Sequence, residues 1–358
     1  MLSIRKRTLL ALVLIMMTVL AGGCWDNKDI NHRSLPIVMG IAKRNDQYQV
    51  VLQIPEPGLG ATKLRVVEES GRTLNEIVDR ISTNMESQVD LLHLKVVLFE
   101  REYAEEGIND SVESFMRAQD ISPKTMAVIC DEPLTSFFRT INSFNKNNGT
   151  ALISFFEKNA GWNPQVSQAH IWQLYRSIHS YTHDTAIPII KSGRGTVIES
   201  AGSGVIRGGR LVERITSNET LLLNAFNGIS TQGKIEVMSH ATVEIVSNTI
   251  AHQSAVVNGK PELKTRVNLK VSLLETRGQP TMDQIKQELE TLLTNRFGEL
   301  MAKIQSKQAD ILAAGQYFRT KLNRDQLRRW RTDYFPKMAV DIQFNIVIQN
   351  AGHLKADA

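Results

Sequence analysis

The chain has 358 residues, of which 42% are hydrophobic and two are cysteine, so it has the composition of a globular protein without a disulfide framework. Its formal net charge is +5, but Arg5, Lys6 and Arg7 supply three of the 42 basic residues. Residues 24–358 therefore hold 39 basic and 37 acidic side chains, a net of +2. This near balance, without a polybasic block, argues against nucleic acid as a partner.

The first 23 residues predict an export signal. A short positive block at 5–7 precedes an apolar run at 8–21, and no acidic residue occurs before Cys24. A transmembrane helix needs about 20 apolar residues, whereas this run has 14. As a helix it would span only about 21 Å. We therefore predict that residues 1–23 are a signal peptide that is removed.

Cys24 stands where the signal of a bacterial lipoprotein would be cut. The three residues before it, Ala21, Gly22 and Gly23, form a lipobox in which Ala21 occupies a position where leucine is usual. Small residues let the extended chain enter the peptidase, and the thiolate takes up the diacylglyceryl group. We predict S-diacylglyceryl and N-acyl modification of Cys24. The alternative is an ordinary exported protein that is cut near Ala21.

Other residues with reactive side chains lack the setting for catalysis or metal binding. Cys130 lies in the apolar run TMAVIC, where a free cysteine behaves as a small hydrophobe. His170, His179 and His183 do not have the compact spacing of metal ligands. No GxSxG or HExxH motif occurs in the right context. We therefore expect no catalytic residue, no metal and no cofactor, and an exported hydrolase is the weakest hypothesis.

Strand-like and helical patterns alternate from Leu35 to about residue 133, which predicts a mixed α/β or α+β first domain. LPIVMGIA and QYQVVLQI flank the polar turn KRND as an antiparallel hairpin. Thr73 and Glu76 have the spacing of a capping box at the start of a helix. The remaining predicted elements are strands at 63–69, 94–100 and 125–130 and a helix over about 101–118.

Between residues 134 and 195 the pattern is looser. One helix is predicted in SQAHIWQLYRSIHS, with Ile171, Leu174, Tyr175 and Ile178 on one side. The glycine-rich stretch that follows lacks GK[ST], so it is not a phosphate loop. We interpret it as a domain junction followed by a hairpin, GVIR and RLVE, that turns at Gly208–Gly209.

The C-terminal part predicts long strands around one long helix. KIEVMSHATVEIVS, LKTRVNLKVSLLET and MAVDIQFNIVIQN alternate with the period of a strand. Thr281 and Gln284 form a second capping-box spacing, and an apolar stripe follows. A shorter helix then carries the basic cluster RDQLRRWR (324–331). That cluster predicts a solvated face, with contact to anionic lipid head groups as the alternative.

These elements predict a multi-domain α+β protein. The mixed-sheet N-terminal region spans 24–195, with a first domain at 24–133 and a looser segment at 134–195. The C-terminal domain spans 196–358, and it has a mainly antiparallel sheet packed with helices.

The sequence also resembles a known family. GCWDNKDINHRSLPIVMGIA is similar to the start of the mature Ger(x)C lipoproteins, the C subunits of nutrient germinant receptors in endospore-forming bacteria. Further similarity lies in GRTLNEIVDRIS, HLKVVLFEREYAEEGI, GVIRGGRLVE and the terminal W…YFP pattern, so the resemblance covers essentially the whole chain. The matching residues at the start are Cys24, Trp25, Asp26, Ile30, Asn31 and Gly40.

The resemblance implies a non-catalytic subunit anchored by acylated Cys24 to the outer face of the spore inner membrane. It implies A and B receptor subunits as partners and a role in the germination response to nutrients. The alternative is a lipoprotein that captures a small solute between its domains. Direct nutrient binding remains open, and no ligand-binding residue is assigned.

Overall fold

The computed structural model describes residues 32–56, 63–118, 120–144, 154–156 and 163–350, with isolated positions at 6, 9, 11 and 152. The strands are β1 (Arg33–Ser34), β2 (Val38–Arg44), β3 (Gln47–Glu56), β4 (Lys63–Gly71), β5 (Gln88–Val89), β6 (Val96–Glu100), β7 (Met126–Cys130), β8 (Thr185–Ser192), β9 (Ile198–Arg207), β10 (Arg210–Ile215), β11 (Ile235–Val237), β12 (Ala241–Val257), β13 (Lys260–Thr276) and β14 (Ala339–Asn350). The α-helices with both ends described are α1 (Leu74–Asn84), α2 (Arg101–Glu106), α3 (Asn109–Ala118), α4 (Leu134–Phe144), α5 (Ile171–Ile178), α6 (Ser217–Phe226), α7 (Met282–Ser306) and α8 (Arg324–Arg328).

The first sheet has eight strands in the order β10-β9-β8-β7-β6-β2-β3-β4. Its four central strands pair in parallel, and antiparallel strands close both edges. The predicted hairpin is β2 and β3, which turn at Asn45 and Asp46 with positive φ. This arrangement confirms the mixed N-terminal sheet.

Helices cover both faces of this sheet because its central strands are apolar on both sides. Every residue of β6 is buried. Helices α1, α2, α3 and α5 pack on one face, and α4 packs on the other through Leu134, Phe137 and Phe138. Thr73 caps α1 by accepting a hydrogen bond from the Glu76 backbone N–H at 3.2 Å, as its spacing predicts.

The predicted helix over 101–118 is wrong as a single helix. The chain forms α2 and α3, separated by Gly107, whose φ of 132° is incompatible with a continuing helix. The next backbone N–H, of Ile108, donates to the Gly209 carbonyl at 2.9 Å. Gly208 and Gly209 form the predicted turn between β9 and β10, both with positive φ. The break in the helix therefore docks this part of the chain onto that turn.

The second sheet has the order β11-β12-β13-β14. The first two pairings are antiparallel and β13 pairs with β14 in parallel, so the sheet is mainly antiparallel. Alternate residues of β13 from Leu263 to Val271 are buried, as the strand period predicts. The 25-residue helix α7 packs against this face, and the capping box of Thr281 and Gln284 forms at its start. This part confirms the predicted fold class.

The first sheet continues across the predicted boundary at residues 195/196. Strand β9 begins at Ile198 and pairs with β8, so the β9–β10 hairpin belongs to the N-terminal sheet. Val205 on β9 and Ile215 on β10 nevertheless pack into the C-terminal core. The division at 195/196 stays a prediction from the sequence, and the hairpin joins the two halves physically.

Candidate functional site

The predicted lipidation site, Cys24 with Ala21, Gly22 and Gly23, lies outside the described residues. The described fold begins close after it, where β1 pairs in parallel with β5. Arg33 forms an ion pair with Asp90, and the Ser34 and Ser87 hydroxyls lie 2.6 Å apart. These contacts fix the chain to the first domain nine residues after Cys24.

A buried ion pair links the two halves of the protein. Asp184, immediately before β8, is fully buried, and Arg331 of the C-terminal half is only 18% exposed. The Arg331 Nε donates to Asp184 Oδ2 at 2.9 Å and its Nη2 donates to Oδ1 at 2.7 Å. Burial raises the pKa of the Asp184 carboxyl, and the bidentate guanidinium opposes that rise. The pair is therefore an anchor between the halves rather than a surface contact.

A second buried carboxylate, Asp310, extends this anchor. Its two oxygens accept hydrogen bonds from the backbone N–H groups of Ala314 and Gly315 and from the Trp330 indole, at 2.8–2.9 Å. Its own backbone N–H donates to Asp184 Oδ2 at 2.9 Å. Burial is the main cause that raises the pKa of Asp310 to about 7, while the three donors favour the ionised form.

Close packing accompanies these hydrogen bonds. Gly315 lies so near Thr182 and Trp330 that a Cβ built on it would lie 2.7 Å from the Thr182 Cβ and 2.8 Å from the indole. The Gln316 amide donates to the Thr182 hydroxyl at 2.5 Å. Just before this point the backbone of Ala313 adopts a left-handed φ of 53°. The carboxylate of Asp310 thus holds a strained loop against Trp330, and Gln316 joins that loop to the N-terminal half.

A cleft of about 690 Å³ opens beside this anchor. One wall is the end of α5 and the segment after it, residues 176–183, and the other is formed by residues within 313–327. We call it the interdomain cleft. Three arginines line it, Arg176, Arg319 and Arg324, together with two histidines, and no aspartate or glutamate is among its lining residues. The solute-binding alternative predicts a cleft between the domains, and this one occupies that position.

His170, His179 and His183 do not converge on one point. His170 and His179 cap opposite ends of α5, and His183 lies in the cleft wall beside Arg176. Burial and the nearby arginines lower the pKa of His183 to about 4, so its ring is neutral at physiological pH. Over the described ranges, no three His, Cys, Asp or Glu side chains are grouped closely enough to hold a metal ion.

Cys130 is buried at the end of β7, where its thiol donates to the Glu132 carbonyl at 3.3 Å. Burial raises the pKa of this thiol to about 12, as befits a cysteine in an apolar setting.

None of the described helices has both the length and the apolar character that crossing a bilayer requires.

The anchor residues were not singled out by the sequence. The cluster RDQLRRWR predicted a solvated face, but Trp330 is fully buried and Arg331 pairs with Asp184. For Arg331, one of the arginines to which the prediction applies, it is wrong, because the chain turns inward through a π-helical turn at Trp330–Tyr334. The only local sign was a tryptophan within a basic run.

Both halves of the chain match families of known proteins. The family described as "Spore germination protein N-terminal domain" matches residues 26–192, and that described as "Spore germination B3/ GerAC like, C-terminal" matches residues 201–352. The chain belongs to the GerAC-like family of spore germination proteins. This confirms the Ger(x)C prediction and assigns the chain a role in spore germination.

Relatives in this family are distant but extend over most of the chain. Spore germination protein GerQC of Bacillus cereus is 18% identical over 301 residues, which cover 81% of this chain and 82% of the relative. Spore germination protein KC of Bacillus subtilis (strain 168) is 19% identical over 400 aligned residues, which cover 97% and 96%. The crystal structure of the GerBC protein matches with a TM-score of 0.57 at 18% identity, covering 86% of this chain and 96% of that one. The likeness to GerBC establishes a common fold.

The anchor joins the two halves that the GerAC-like family defines. Asp184 belongs to the N-terminal match, whereas Asp310 and Arg331 belong to the C-terminal match. Their hydrogen bonds therefore make the interface between the two family regions a specific one.

Proposed function

We propose that this chain is a non-catalytic, lipid-anchored subunit of a germinant receptor, held at the outer face of the spore inner membrane by acylated Cys24. The observation that carries the proposal is the match of both halves to spore germination families, directly after a lipobox cysteine. Its partners would be membrane lipid and the A and B receptor subunits. The subunit would be needed for the germination response to nutrients.

The physics of lipid anchoring supports this arrangement. Two acyl chains, each gaining about 0.8 kcal/mol per buried CH₂, hold a protein stably where one chain binds only marginally. Arg33 of β1 is the ninth residue after Cys24. A chain of that length reaches at most about 30 Å. The β1–β5 end of the first domain would therefore stay close to the bilayer surface, with Trp25 at the level of the head groups.

A binding or scaffolding role agrees with the polar groups of the described fold. Its two most deeply buried carboxylates, Asp184 and Asp310, are engaged by the Arg331 guanidinium and by backbone and indole N–H groups. The thiol of Cys130 is buried, and its raised pKa makes it a poor nucleophile. These groups stabilise the fold. In the proposed receptor, the outer surface of the chain would contact the other subunits.

Replacement of Cys24 by alanine tests the anchor, and Cys130→Ala is a matched control because the chain has two cysteines. Cells would be fed a clickable palmitate analogue. We expect the label on the wild type and on Cys130→Ala, but not on Cys24→Ala. We also expect Cys24→Ala to retain its signal peptide and to support germination poorly.

Co-purification from spore membranes tests the partners. The wild type should bring down the A and B subunits, and Cys24→Ala should recover less of both. Normal assembly and normal nutrient-triggered germination by an unlabelled Cys24→Ala protein would refute lipid anchoring as the basis of function.

A further inference from the structure

The interdomain cleft has the size and position of a ligand site. Its volume of about 690 Å³ lies within the range of about 300–1,000 Å³ usual for small-molecule pockets, which also favour domain interfaces. Leu327 and Tyr181, whose side chain is 50% exposed, supply apolar surface beside the polar groups. A small organic molecule could therefore rest part of its surface on these two side chains.

The arginines of the cleft differ from the neighbouring arginines in their ion-pair partners. In the basic cluster at 324–331, Arg328 pairs with Asp325, Arg329 with Asp333 and Arg331 with Asp184. Arg324 is the arginine of this cluster that lines the cleft. Across the part of the chain that the structure describes, no carboxylate forms an ion pair with Arg176, Arg319 or Arg324. Three positive charges thus face the interdomain cleft, and no ion pair among the described residues neutralises them.

Two of these guanidinium groups are oriented by their neighbours. Arg176 lies over the Trp172 ring at 5.1 Å and its Nη2 is 3.5 Å from the Nδ1 of His183. Arg319 donates to the Gln316 side-chain oxygen at 3.4 Å. Each guanidinium has five N–H donors, so most donors remain for a ligand. Orientation before binding reduces the entropy that a ligand must overcome.

The wall that carries Arg319 is also held in place. Asp310 fixes Ala314 and Gly315, and Gln316 donates to Thr182 across the interface. Burial is the main cause that lowers the pKa of His183, and Arg176 and Arg331 add to that shift. Both walls are thus fixed by the folded interface, and Arg176, Arg319 and Arg324 extend from them as solvent-exposed side chains.

We propose that the interdomain cleft binds a small molecule through a carboxylate or phosphate group, held by Arg176, Arg319 and Arg324. Guanidinium groups bind such oxyanions in bidentate fashion, which makes them the best matched side chains for this chemistry. The group belongs either to a soluble anion or to the phosphate of a lipid head group. The inference does not depend on the proposed anchor at Cys24, because it rests on residues 176–183 and 313–327 alone.

Calorimetry on the full chain in phosphatidylcholine nanodiscs tests the site, with inorganic phosphate, succinate and glutamate as probes and glucose as the uncharged control. We expect saturable binding of at least one anion with a Kd of about 1 mM or tighter. The variant Arg176→Gln/Arg319→Gln/Arg324→Gln should bind it at least about tenfold more weakly. The control Arg72→Gln/Arg139→Gln/Arg277→Gln removes the same charge from exposed positions elsewhere and should bind normally.

Nanodiscs that contain phosphatidylglycerol separate the two sources of the anion. If a lipid head group is the natural occupant, these discs should weaken phosphate binding to the wild type. The residual phosphate binding of the cleft variant should be the same in both kinds of disc. If the occupant is soluble, binding should be the same in both kinds of disc. The proposal is overturned if no probe binds the wild type in neutral discs, or if both triple variants bind alike.

Discussion

The Nη2 atom of Arg331 lies 2.7 Å from the Asp184 Oδ1, and this contact fastens a segment near the C-terminus to the start of β8, 147 residues earlier in the chain. Both groups are largely withdrawn from water. A buried pair of this kind adds little net stability compared with apolar packing, but removal of one partner leaves a buried charge. The pair therefore specifies how the two halves dock.

Replacement of Arg331 by methionine should lower the free energy of unfolding by about 3–5 kcal/mol, because Asp184 would remain buried without its cation. The double variant Asp184→Asn/Arg331→Met should lose less than the sum of the two single variants, since it buries no unpaired charge. Urea unfolding monitored by tryptophan fluorescence measures these values. Arg328→Met, at an exposed pair with Asp325, should change the stability by at most about 0.5 kcal/mol. Additive losses would show that the pair is not coupled.

The buried carboxyl of Asp310 should make stability fall with rising pH. Its pKa rises from 3.8 to about 7 on folding, so between these values the folded chain binds more protons than the unfolded chain. The contribution is complete below about pH 4 and is lost as the pH rises through about 7. The associated slope is at most about 1.4 kcal/mol per pH unit.

Asp310→Asn tests this titration by removing the ionisable group. It should flatten the pH dependence between about pH 5 and pH 8. It should also destabilise the fold by about 2–4 kcal/mol, because an amide N–H₂ cannot accept from both Gly315 and Trp330. The exposed Asp283→Asn should leave the profile unchanged. An unaltered profile in Asp310→Asn would assign the titration to another group.

Gly315→Ala should destabilise the protein by about 1–3 kcal/mol, since a Cβ there overlaps Thr182 and Trp330 at the interface. Gly298→Ala is the matched control. Gly298 lies within α7, and no atom lies within 4 Å of a Cβ added to it. That variant should be more stable by about 0.5–1 kcal/mol, because alanine favours a helix over glycine. Thermal unfolding of both variants should therefore move in opposite directions.

The Cys130 thiol should not react with iodoacetamide in the folded chain, because it is buried and its pKa is about 12. In urea it should react at the rate of a free thiol. A thiol placed on the exposed face of α7 by Ala302→Cys provides the reference for accessibility. Equal rates for the two thiols under native conditions would mean that β7 opens readily.

Local patterns predicted the elements whose cause is local. The capping boxes at Thr73 and Thr281 and the alternation along β13 are set by residues a few positions apart, and all three appear in the structure. The helix break was missed although Gly107 is a local helix-ending residue. The contact that holds the break, from the Ile108 N–H to the Gly209 carbonyl, involves a residue about 100 positions later.

The same contrast between local and long-range causes applies to the candidate site. Lipidation at Cys24 can be predicted because the lipobox pattern is contiguous, whereas the interdomain cleft is built from two segments more than 100 residues apart. Asp184 and Asp310 are ordinary acidic residues in the sequence, and their burial follows only from the docking of the two halves. The basic run at 324–331 likewise predicts a surface position for Arg331, which turns inward.

The hairpin of β9 and β10 determines where sequences of this family can be recombined. It pairs with β8 and also contributes Val205 and Ile215 to the C-terminal core. A chimera joined near residue 195 would pair β8 of one parent with β9 of the other and mismatch their side chains. A junction after Ile215 keeps the sheet intact but still mixes the core and the Asp184–Arg331 pair. Exchanging segments among relatives therefore requires carrying the hairpin and its docking residues as one unit.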